Sequence, residues 1–403
     1  MTKRIGIIGG GQLGLMIAEE AHRQGAFVYA LDPAPDAPAF AECDGHIVAG
    51  YDDLDALEKL GAETDVLTYE FENVPGDVLR HIEGKFNIPQ GIAPLFDSQD
   101  RLREKNNARR NGLPVPDYIP LPANSADEDC VAVPEVTDAS GILRPMTGSE
   151  RFDELNAAVS RLGMPCVLKT RRLGYDGHGQ AVIRCSEDIR PASEMLKVPC
   201  ILEAFVPFDC ECSVIMVRDG KETVSFPVGR NIHRDGILDL CIVPAPGLYS
   251  MSENGGKLIP SELAERIVES CTAFMEACGY RGILAIELFI KGNDFVFNEM
   301  APRPHNSGHY TIEGCTTSQY AELCHFLLGE PLVRPQLKAP TVMKNILGRD
   351  LEEALKVERE AGDGTFVHIY GKTESRPKRK MGHITFVPMT PEEYRAHWSE
   401  RWK

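Results

Sequence analysis

The chain has 403 residues, a formal net charge of −17 and 12 cysteines. The length predicts roughly two to four domains, and 43% hydrophobic with 26% charged residues is typical of a globular protein and excludes a disordered or fibrous one. The acidic balance argues against nucleic-acid binding, which needs a basic surface to replace counterions.

The cysteines and the apolar segments predict the compartment. Most cysteines stand singly in apolar segments, as reduced thiols do in cytoplasmic proteins. No long apolar stretch with a cleavage site follows the first residues, and no apolar run approaches the ~18 to 20 residues of a membrane helix. We expect a cytoplasmic protein whose partners are small molecules, with no nucleic acid and no membrane.

The first part of the chain alternates strand and helix patterns, which is typical of a doubly wound parallel sheet. The predicted strands are residues 5–8, 27–31 and 66–69, and the predicted helices are 13–24 and 54–61. We predict a fold that combines α/β and α+β domains, with a first domain at residues 1–112.

A proline-rich, acidic stretch at 113–149 reads as a connector with a surface insertion. After it we predict a helix at 152–162, strands at 166–169, 200–205 and 213–217, a helix at 261–278, and strands at 283–290, 294–298, 365–370 and 383–387. The second unit is placed at 113–220 and the third at 221–403.

The glycine-rich run Gly9 to Gly14, with Asp32 at the end of the next strand, satisfies the dinucleotide fingerprint. Three interpretations stay open: a nicotinamide dinucleotide site, glycines that pack a helix onto a strand, and a phosphate-bearing substrate at the helix N-terminus. Pro33 and Pro35 stiffen the segment where an adenosine ribose has to lie, which disfavours the first of these.

Lys169 and the loop that follows it are typical of a nucleotide site. The loop at 174–180 contains three glycines, whose backbone amides suit phosphate binding. It is not a Walker loop, because no Gly-Lys-Ser/Thr follows. Glu203 and Glu211 further along fit a strand edge that clamps adenosine, although two solvated acids would give the same pattern.

Glu287 and Glu299 lie on two predicted strands joined by the turn at 291–293. Such a hairpin can place both carboxylates on one face, where their repulsion raises at least one pKa. Magnesium would remove this conflict, since it prefers hard oxygen ligands, and Asn298 could add a neutral oxygen. The alternative is an acidic surface hairpin.

Two other metal sites are disfavoured. His305, His309 and Glu313 could hold zinc, but Pro302, Pro304 and Gly308 predict a loop without a shared helical face. In the second candidate, Cys210 and Cys212 alternate with Glu211 on a strand, and no second cysteine pair completes the site.

Taken together, these motifs resemble the N5-carboxyaminoimidazole ribonucleotide synthetase family of the ATP-grasp superfamily over nearly the whole chain. The matching segments are residues 7–14, 69–74, 174–180, 231–236, 298–309, 368–372 and 379–383.

The resemblance implies a ligase of purine biosynthesis. Enzymes of this family use ATP to activate bicarbonate as carboxyphosphate and transfer its carboxyl group to 5-aminoimidazole ribonucleotide. The resemblance also implies two magnesium ions with ATP and a homodimer. The three units become a Rossmann-like pre-ATP-grasp domain, a connector with a small lid subdomain, and a large subdomain with a substrate-binding C-terminal segment.

The resemblance also implies site residues. For ATP they are Arg101, Lys169, Tyr175, Asp176, Gly177, His178, Gly179, Gln180, Glu203, Ala204, Phe205, Val206, Glu211, His233, Asn298 and Glu299. For the ribonucleotide they are Gly11, Gln12, Leu13, Glu72, Tyr175, Asp176, Lys372 and Arg379. For catalysis at the bicarbonate they are Arg303, His305 and Asn306, and for magnesium they are Glu287 and Glu299.

The chain departs from the family pattern at two places. His178 stands where the family carries Arg or Lys, so one cationic contact there becomes weaker or pH-dependent. The stretch 124–147 is longer than expected and is interpreted as a surface loop. In the basic turn, we expect Lys378 and Lys380 to be solvated.

Overall fold

The computed structural model describes residues 2–122, 135–137, 143–174, 179–244, 259–360 and 362–402. The strands are β1 Arg4–Ile8, β2 Phe27–Asp32, β3 Gly45–Val48, β4 Val66–Tyr69, β5 Tyr118–Leu121, β6 Glu135–Thr137, β7 Leu143–Pro145, β8 Cys166–Thr170, β9 Gln180–Ile183, β10 Cys200–Ala204, β11 Cys210–Arg218, β12 Thr223–Ser225, β13 Gly229–Arg234, β14 Ile237–Val243, β15 Gly282–Lys291, β16 Asp294–Ala301, β17 Thr341–Leu347, β18 Thr365–Ile369 and β19 Lys380–Phe386.

The α-helices are α1 Gln12–Arg23, α2 Leu54–Glu63, α3 Gly76–Glu83, α4 Ala93–Ser98, α5 Arg101–Arg110, α6 Gly148–Leu162, α7 Ile189–Ser193, α8 Ser261–Ala277, α9 Thr311–Gly314, α10 Gln319–Leu328, α11 Leu351–Glu360 and α12 Pro391–His397. None of the described helices is long and apolar enough to cross a membrane.

The N-terminal sheet has the strand order β3-β2-β1-β4, and every pair in it is parallel. Ile5, Ile7 and Ile8 of β1 are completely buried, as expected for a parallel strand covered on both faces. The predicted parallel sheet is confirmed.

The middle sheet has the order β5-β10-β8-β9 and is antiparallel. Because side chains alternate along a strand, Leu168 and Leu202 pack into the core beneath α6, whereas Lys169 and Glu203 point to the opposite face. Helix α6 starts at Gly148, earlier than the predicted 152, because Thr147 and Glu150 form a capping box.

The predicted connector at 113–149 was wrong over Tyr118–Leu121, which forms β5 of the middle sheet. The strand contains Pro120, which a sheet tolerates at its edge, and β5 is an edge strand. Residues 124–134 and 138–142 of the predicted surface loop lie outside the described residues.

The large sheet has the order β16-β15-β11-β13-β14-β17-β19-β18, with β12 paired to β11. Strand β11 pairs with β15 from Cys210 to Arg218, so it belongs to this sheet although the predicted second unit, 113–220, includes it. Cys210 and Cys212 are buried against α8, and Glu211 lies on the opposite face, as the alternation predicts.

Candidate active site

Glu287 of β15 and Glu299 of β16 lie directly opposite each other in the hairpin. The regular pairs Lys291 to Asp294 and Leu288 to Phe297 would place Glu287 opposite Asn298, but Asn298 is the extra residue of a β-bulge in β16, which shifts the register by one residue. A one-residue shift moves a side chain to the other face of a sheet. The bulge therefore brings the two carboxylates together.

Glu287 is 9% exposed, and its burial, reinforced by the negative charge of Glu299, raises its pKa to about 8. The predicted electrostatic conflict between the two carboxylates is confirmed. Two facing carboxylates with hard oxygen atoms fit a divalent cation such as magnesium, which would relieve their repulsion.

Two cavities meet at this pair. One of about 800 Å³ lies between the N-terminal sheet and the C-terminal segment, and one of about 300 Å³ lies between the middle and large sheets. The residues that line both are Arg101, Glu287, Glu299, His305, Asn306 and Lys380.

The smaller cavity gathers most of the residues predicted for ATP. Lys169 Nζ donates to Glu203 Oε2 at 2.9 Å, and Glu203 Oε1 is buried without a hydrogen-bond partner among the described residues. The others lining it are Arg101, Gln180, Ala204, Phe205, Val206, Glu211, His233, Asn298 and Glu299. Gly179 precedes β9, and Tyr175, Asp176, Gly177 and His178 lie outside the described residues.

One side of the smaller cavity is apolar, and the other side carries charged groups. Phe208 stacks on Phe289 with ring centroids 4.6 Å apart, beside Val206. On the polar side, His233 Nδ1 lies 3.1 Å from Glu211 Oε2. Burial lowers the pKa of His233, but the neighbouring carboxylate of Glu211 outweighs this effect, and the net shift is upward.

Lys105 is a further residue of this region that no sequence motif indicated. It is 1% exposed and donates to the backbone oxygens of Phe297, at 3.4 Å, and Asn298. Its Nζ is 3.8 Å from Glu203 Oε2, and burial lowers its pKa. The available signal was its position four residues after Arg101, which places both on one face of α5.

The larger cavity is lined by the residues predicted for the ribonucleotide that the structure describes: Gly11, Gln12, Leu13, Glu72, Lys372 and Arg379. Lys372 Nζ donates to Gln12 Oε1 and to the backbone oxygen of Lys380, so it joins the N-terminal domain to the C-terminal segment. Arg379 Nη1 donates to the backbone oxygen of Glu374 at 2.8 Å. The expectation that Lys380 is solvated was wrong, because Lys380 is half-buried and lines both cavities.

The glycine-rich turn is held by two carboxylates. Asp32 Oδ2 accepts from the Gly10 amide at 2.8 Å and from the Tyr51 hydroxyl at 2.7 Å, and Glu70 Oε1 accepts from the Gly11 amide at 2.8 Å. A Cβ on Gly10 would lie 2.8 Å from the Ala37 Cβ. The glycines therefore serve close packing, and Asp32 holds the turn itself.

Arg303 and His305 each lie beside a carboxylate of the site, Arg303 beside Glu72 and His305 beside Glu287. Arg303 Nε donates to Glu72 Oε2 at 2.6 Å. His305 Nδ1 lies 2.8 Å from Ser307 Oγ and 3.4 Å from the Ser307 amide, which donates to it. His305 Nε2 lies 3.5 Å from Glu287 Oε1. Burial, together with the charge of Arg303, lowers the pKa of His305 well below its usual range.

Asn306 is held by a residue that the sequence analysis missed. Asn306 Nδ2 donates to Asn345 Oδ1 at 2.9 Å, and Asn345 Nδ2 donates to Asn306 Oδ1 at 2.6 Å. Asn345 Nδ2 also donates to the backbone oxygen of Leu238 at 2.8 Å. Nothing in the sequence signals a pair separated by 39 positions.

The disfavoured zinc cluster has other partners. His309 Nδ1 lies 3.0 Å from the Tyr320 hydroxyl, and Glu313 Oε1 lies 2.7 Å from His368 Nε2. Within the part of the chain that the structure describes, the residues whose ligand atoms all lie within 4.8 Å of one another are Glu211, His233 and Glu287.

Three family models match the chain. Residues 1–94 match the ribonucleotide synthetase preATP-grasp domain, residues 144–320 the ATP-grasp domain, and residues 341–397 the phosphoribosylaminoimidazole carboxylase C-terminal domain. The fold and the facing carboxylates therefore belong to a protein of the ATP-grasp class.

Comparison with individual relatives identifies the family within the ATP-grasp class. The N5-carboxyaminoimidazole ribonucleotide synthase of Staphylococcus haemolyticus is 36% identical over 96% of this chain and 94% of its own length. The structure of the Staphylococcus aureus synthetase with ADP is similar at a TM-score of 0.83 and 33% identity, covering 99% of this chain and 97% of that one. The Aspergillus clavatus synthase with ADP and 5-aminoimidazole ribonucleotide follows at 0.82 and 27%, with the same coverage. The chain belongs to the N5-carboxyaminoimidazole ribonucleotide synthase family.

Proposed function

We propose that the protein is an ATP-dependent carbon–nitrogen ligase of purine biosynthesis, which carboxylates 5-aminoimidazole ribonucleotide with bicarbonate. The products are N5-carboxyaminoimidazole ribonucleotide, ADP and phosphate. The observation that carries the proposal is the meeting of two cavities at Glu287 and Glu299. The Aspergillus clavatus relative, solved with ADP and the aminoimidazole ribonucleotide, supports it.

ATP is assigned to the smaller cavity. The buried Glu203 Oε1 has no partner in the described chain, and an unpaired buried acceptor is costly. The exocyclic amine of adenine is a donor that satisfies it, beside the apolar Val206 and Phe208. Glu211 and His233 lie where ribose and phosphate follow, and Lys169 and Arg101 supply positive charge.

We assign magnesium to Glu287 and Glu299, with two ions expected beside ATP. When bound, the metal neutralises the charge that develops on the transferring phosphoryl group. The raised pKa of Glu287 supports this assignment, because burial and the charge of Glu299 both disfavour its ionised form, which a bound cation would stabilise.

The ribonucleotide is assigned to the larger cavity. Lys372 and Arg379 give a phosphate a cationic cradle in an otherwise acidic chain, and Glu72 suits ribose hydroxyls. Gly11 caps α1 and Gln12 and Leu13 begin it; all three line the cavity, and a helix N-terminus favours a phosphate.

Bicarbonate is assigned to the junction of the cavities, beside Arg303, His305 and Asn306. A bicarbonate oxygen attacks the γ-phosphorus of ATP and ADP leaves, giving carboxyphosphate. The exocyclic amine of the ribonucleotide then attacks the carboxyl carbon, and phosphate and a proton depart. We assign the proton of the neutral His305 to Nε2, because the Ser307 amide donates to Nδ1, and this Nε2–H group can donate to the carboxyphosphate.

The test is steady-state ATP hydrolysis with each substrate omitted in turn. We expect hydrolysis to require both bicarbonate and 5-aminoimidazole ribonucleotide. An equal rate of ATP hydrolysis with and without the ribonucleotide would contradict the proposal.

Three further assignments accompany the proposed function: the oligomeric state, the compartment and the domain bounds. We propose a homodimer in the cytoplasm, and we keep the units 1–112, 113–220 and 221–403, with β11 counted in the large sheet. Sedimentation of the purified chain would test the dimer, and a mass equal to one chain would contradict it.

The two lysines of the basic turn give a matched pair of variants. Lys380 lines both cavities, whereas Lys378 is exposed. We expect Lys380→Met to lower kcat/KM by about tenfold to a hundredfold, since a hydrogen bond to a charged group contributes roughly 1.5–3 kcal/mol. Lys378→Met should behave as the wild type in the same assay. Equal effects of the two variants would contradict the assignment of Lys380.

Asn345 acts as a positioning residue through Asn306. We expect Asn345→Ala to lower kcat and raise the KM for bicarbonate while leaving the KM for ATP unchanged, because the side-chain hydrogen bonds of Asn345 go to Asn306 and Leu238 and not to a residue assigned to ATP. Asn111→Ala is the matched control, since Asn111 Nδ2 donates to Asn107 Oδ1 at 2.7 Å in a second amide pair. A change in the KM for ATP alone would show that Asn345 does not act on the bicarbonate site.

A further inference from the structure

Glu211, His233 and Glu287 converge from three neighbouring strands of the large sheet. Glu211 on β11 pairs with Asn231, two residues before His233 on β13, and Ser213 on β11 pairs with Glu287 on β15. Because side chains alternate along a strand, all three side chains point to the same face.

Their ligand atoms already lie close together. One carboxylate oxygen from each glutamate and one ring nitrogen from His233 fall within 4.8 Å of one another, so small side-chain rotations bring them to the separations of a single coordination sphere. The fold supplies this arrangement through strand register, without a flexible loop.

The donor set differs from that of the facing carboxylates Glu287 and Glu299. Imidazole nitrogen suits zinc, cobalt and nickel, whereas magnesium prefers oxygen ligands and water. Affinity for a mixed nitrogen and oxygen site also rises from early to late first-row divalent metals. Two carboxylates and one imidazole therefore select a late first-row ion.

We propose that Glu211, His233 and Glu287 form a second metal site, which binds one late first-row divalent cation such as zinc or cobalt when nucleotide is absent. The ion takes the carboxylate of Glu287 that the proposed function gives to magnesium, and it covers the two side chains assigned to ATP. This competition rests on the proposed function, but the binding itself does not.

The test is a titration of the nucleotide-free protein with Co²⁺, followed by its visible absorption. We expect saturation at one ion per chain, and an excess of Mg²⁺ should not displace it. His233→Gln and Glu211→Gln should each weaken binding by at least about tenfold, the lower end of the loss seen for residues that only support a ligand.

Two variants serve as controls. Glu299→Gln should retain cobalt binding, because Glu299 lies outside the three ligands, although the proposed function predicts that it loses turnover. His81→Gln removes a comparable histidine–glutamate pair at the surface, with His81 Nε2 2.6 Å from Glu58 Oε1, and should bind as the wild type does.

Three results would overturn the proposal: no saturable binding to the wild type, unchanged binding to His233→Gln, or loss of binding in Glu299→Gln. Circular dichroism of each variant checks that it is folded. Failure of the ligase assay leaves the cobalt result standing, so the two proposals fail separately.

Discussion

Glu299→Gln is expected to lower kcat by at least about a thousandfold, because a metal that neutralises the transferring phosphoryl group contributes several kcal/mol to the transition state. The amide has nearly the shape of the carboxylate, so packing in the hairpin is kept and only the charge is lost. The measurement is phosphate release at saturating ATP, bicarbonate and ribonucleotide.

Loss of the Glu299 charge should also weaken magnesium binding. With Glu299 neutral, the repulsion that helps raise the pKa of Glu287 disappears, so the variant should need more magnesium for half-maximal activity. Glu265→Gln, on the exposed side of α8, is the control and should keep wild-type activity. Wild-type turnover in Glu299→Gln would disprove the metal assignment.

Asp100→Ala is expected to be the most destabilising of the substitutions considered. Asp100 is completely buried and accepts from Arg171 Nε at 2.9 Å and Arg171 Nη2 at 2.8 Å. It also accepts from the Leu102 amide at 3.0 Å, which caps α5. Its removal leaves the buried guanidinium of Arg171 without this carboxylate, at a cost of roughly 3–5 kcal/mol.

Thermal unfolding followed by circular dichroism measures this effect. At about 2–4 °C per kcal/mol, the value for domains of roughly 150–250 residues, the midpoint should fall by roughly ten degrees. Asp53→Ala is the matched control, because Asp53 caps α2 by accepting from Ala56 but is exposed, and a lost cap costs only about 1 kcal/mol. Equal shifts in the two variants would contradict the argument from burial.

The pair Glu287 and Glu299 shows what the sequence can and cannot predict. Alternating apolar residues and a short turn predict the hairpin, but a regular hairpin places Glu299 on the face opposite to Glu287. The bulge at Asn298 reverses this. Nothing in the local sequence marks that bulge, so the shared face was predicted correctly without its physical cause.

The wrong expectation for Lys380 and the omission of Lys105 and Asn345 have the same cause: each depends on contacts between residues far apart in the sequence. Lys380 looks like any lysine of a basic turn until β19 is placed beside β17 in the large sheet. Lys105 lies on a highly charged helix, and its burial depends on β16, 192 positions away. Asn345 likewise has no local motif. The family resemblance supplied the residues that are assigned to ligands, and it did not supply the residues that hold them in place.

The most direct test of the account follows the oxygen atoms of bicarbonate. If ATP phosphorylates bicarbonate beside Glu287 and Glu299, then a single turnover with ¹⁸O-labelled bicarbonate must transfer one labelled oxygen to the released phosphate. Mass spectrometry of the phosphate, taken before the label exchanges with water, measures this transfer. We predict singly labelled phosphate that appears only when 5-aminoimidazole ribonucleotide is present, and unlabelled phosphate accompanied by ribonucleotide carboxylation would contradict the account.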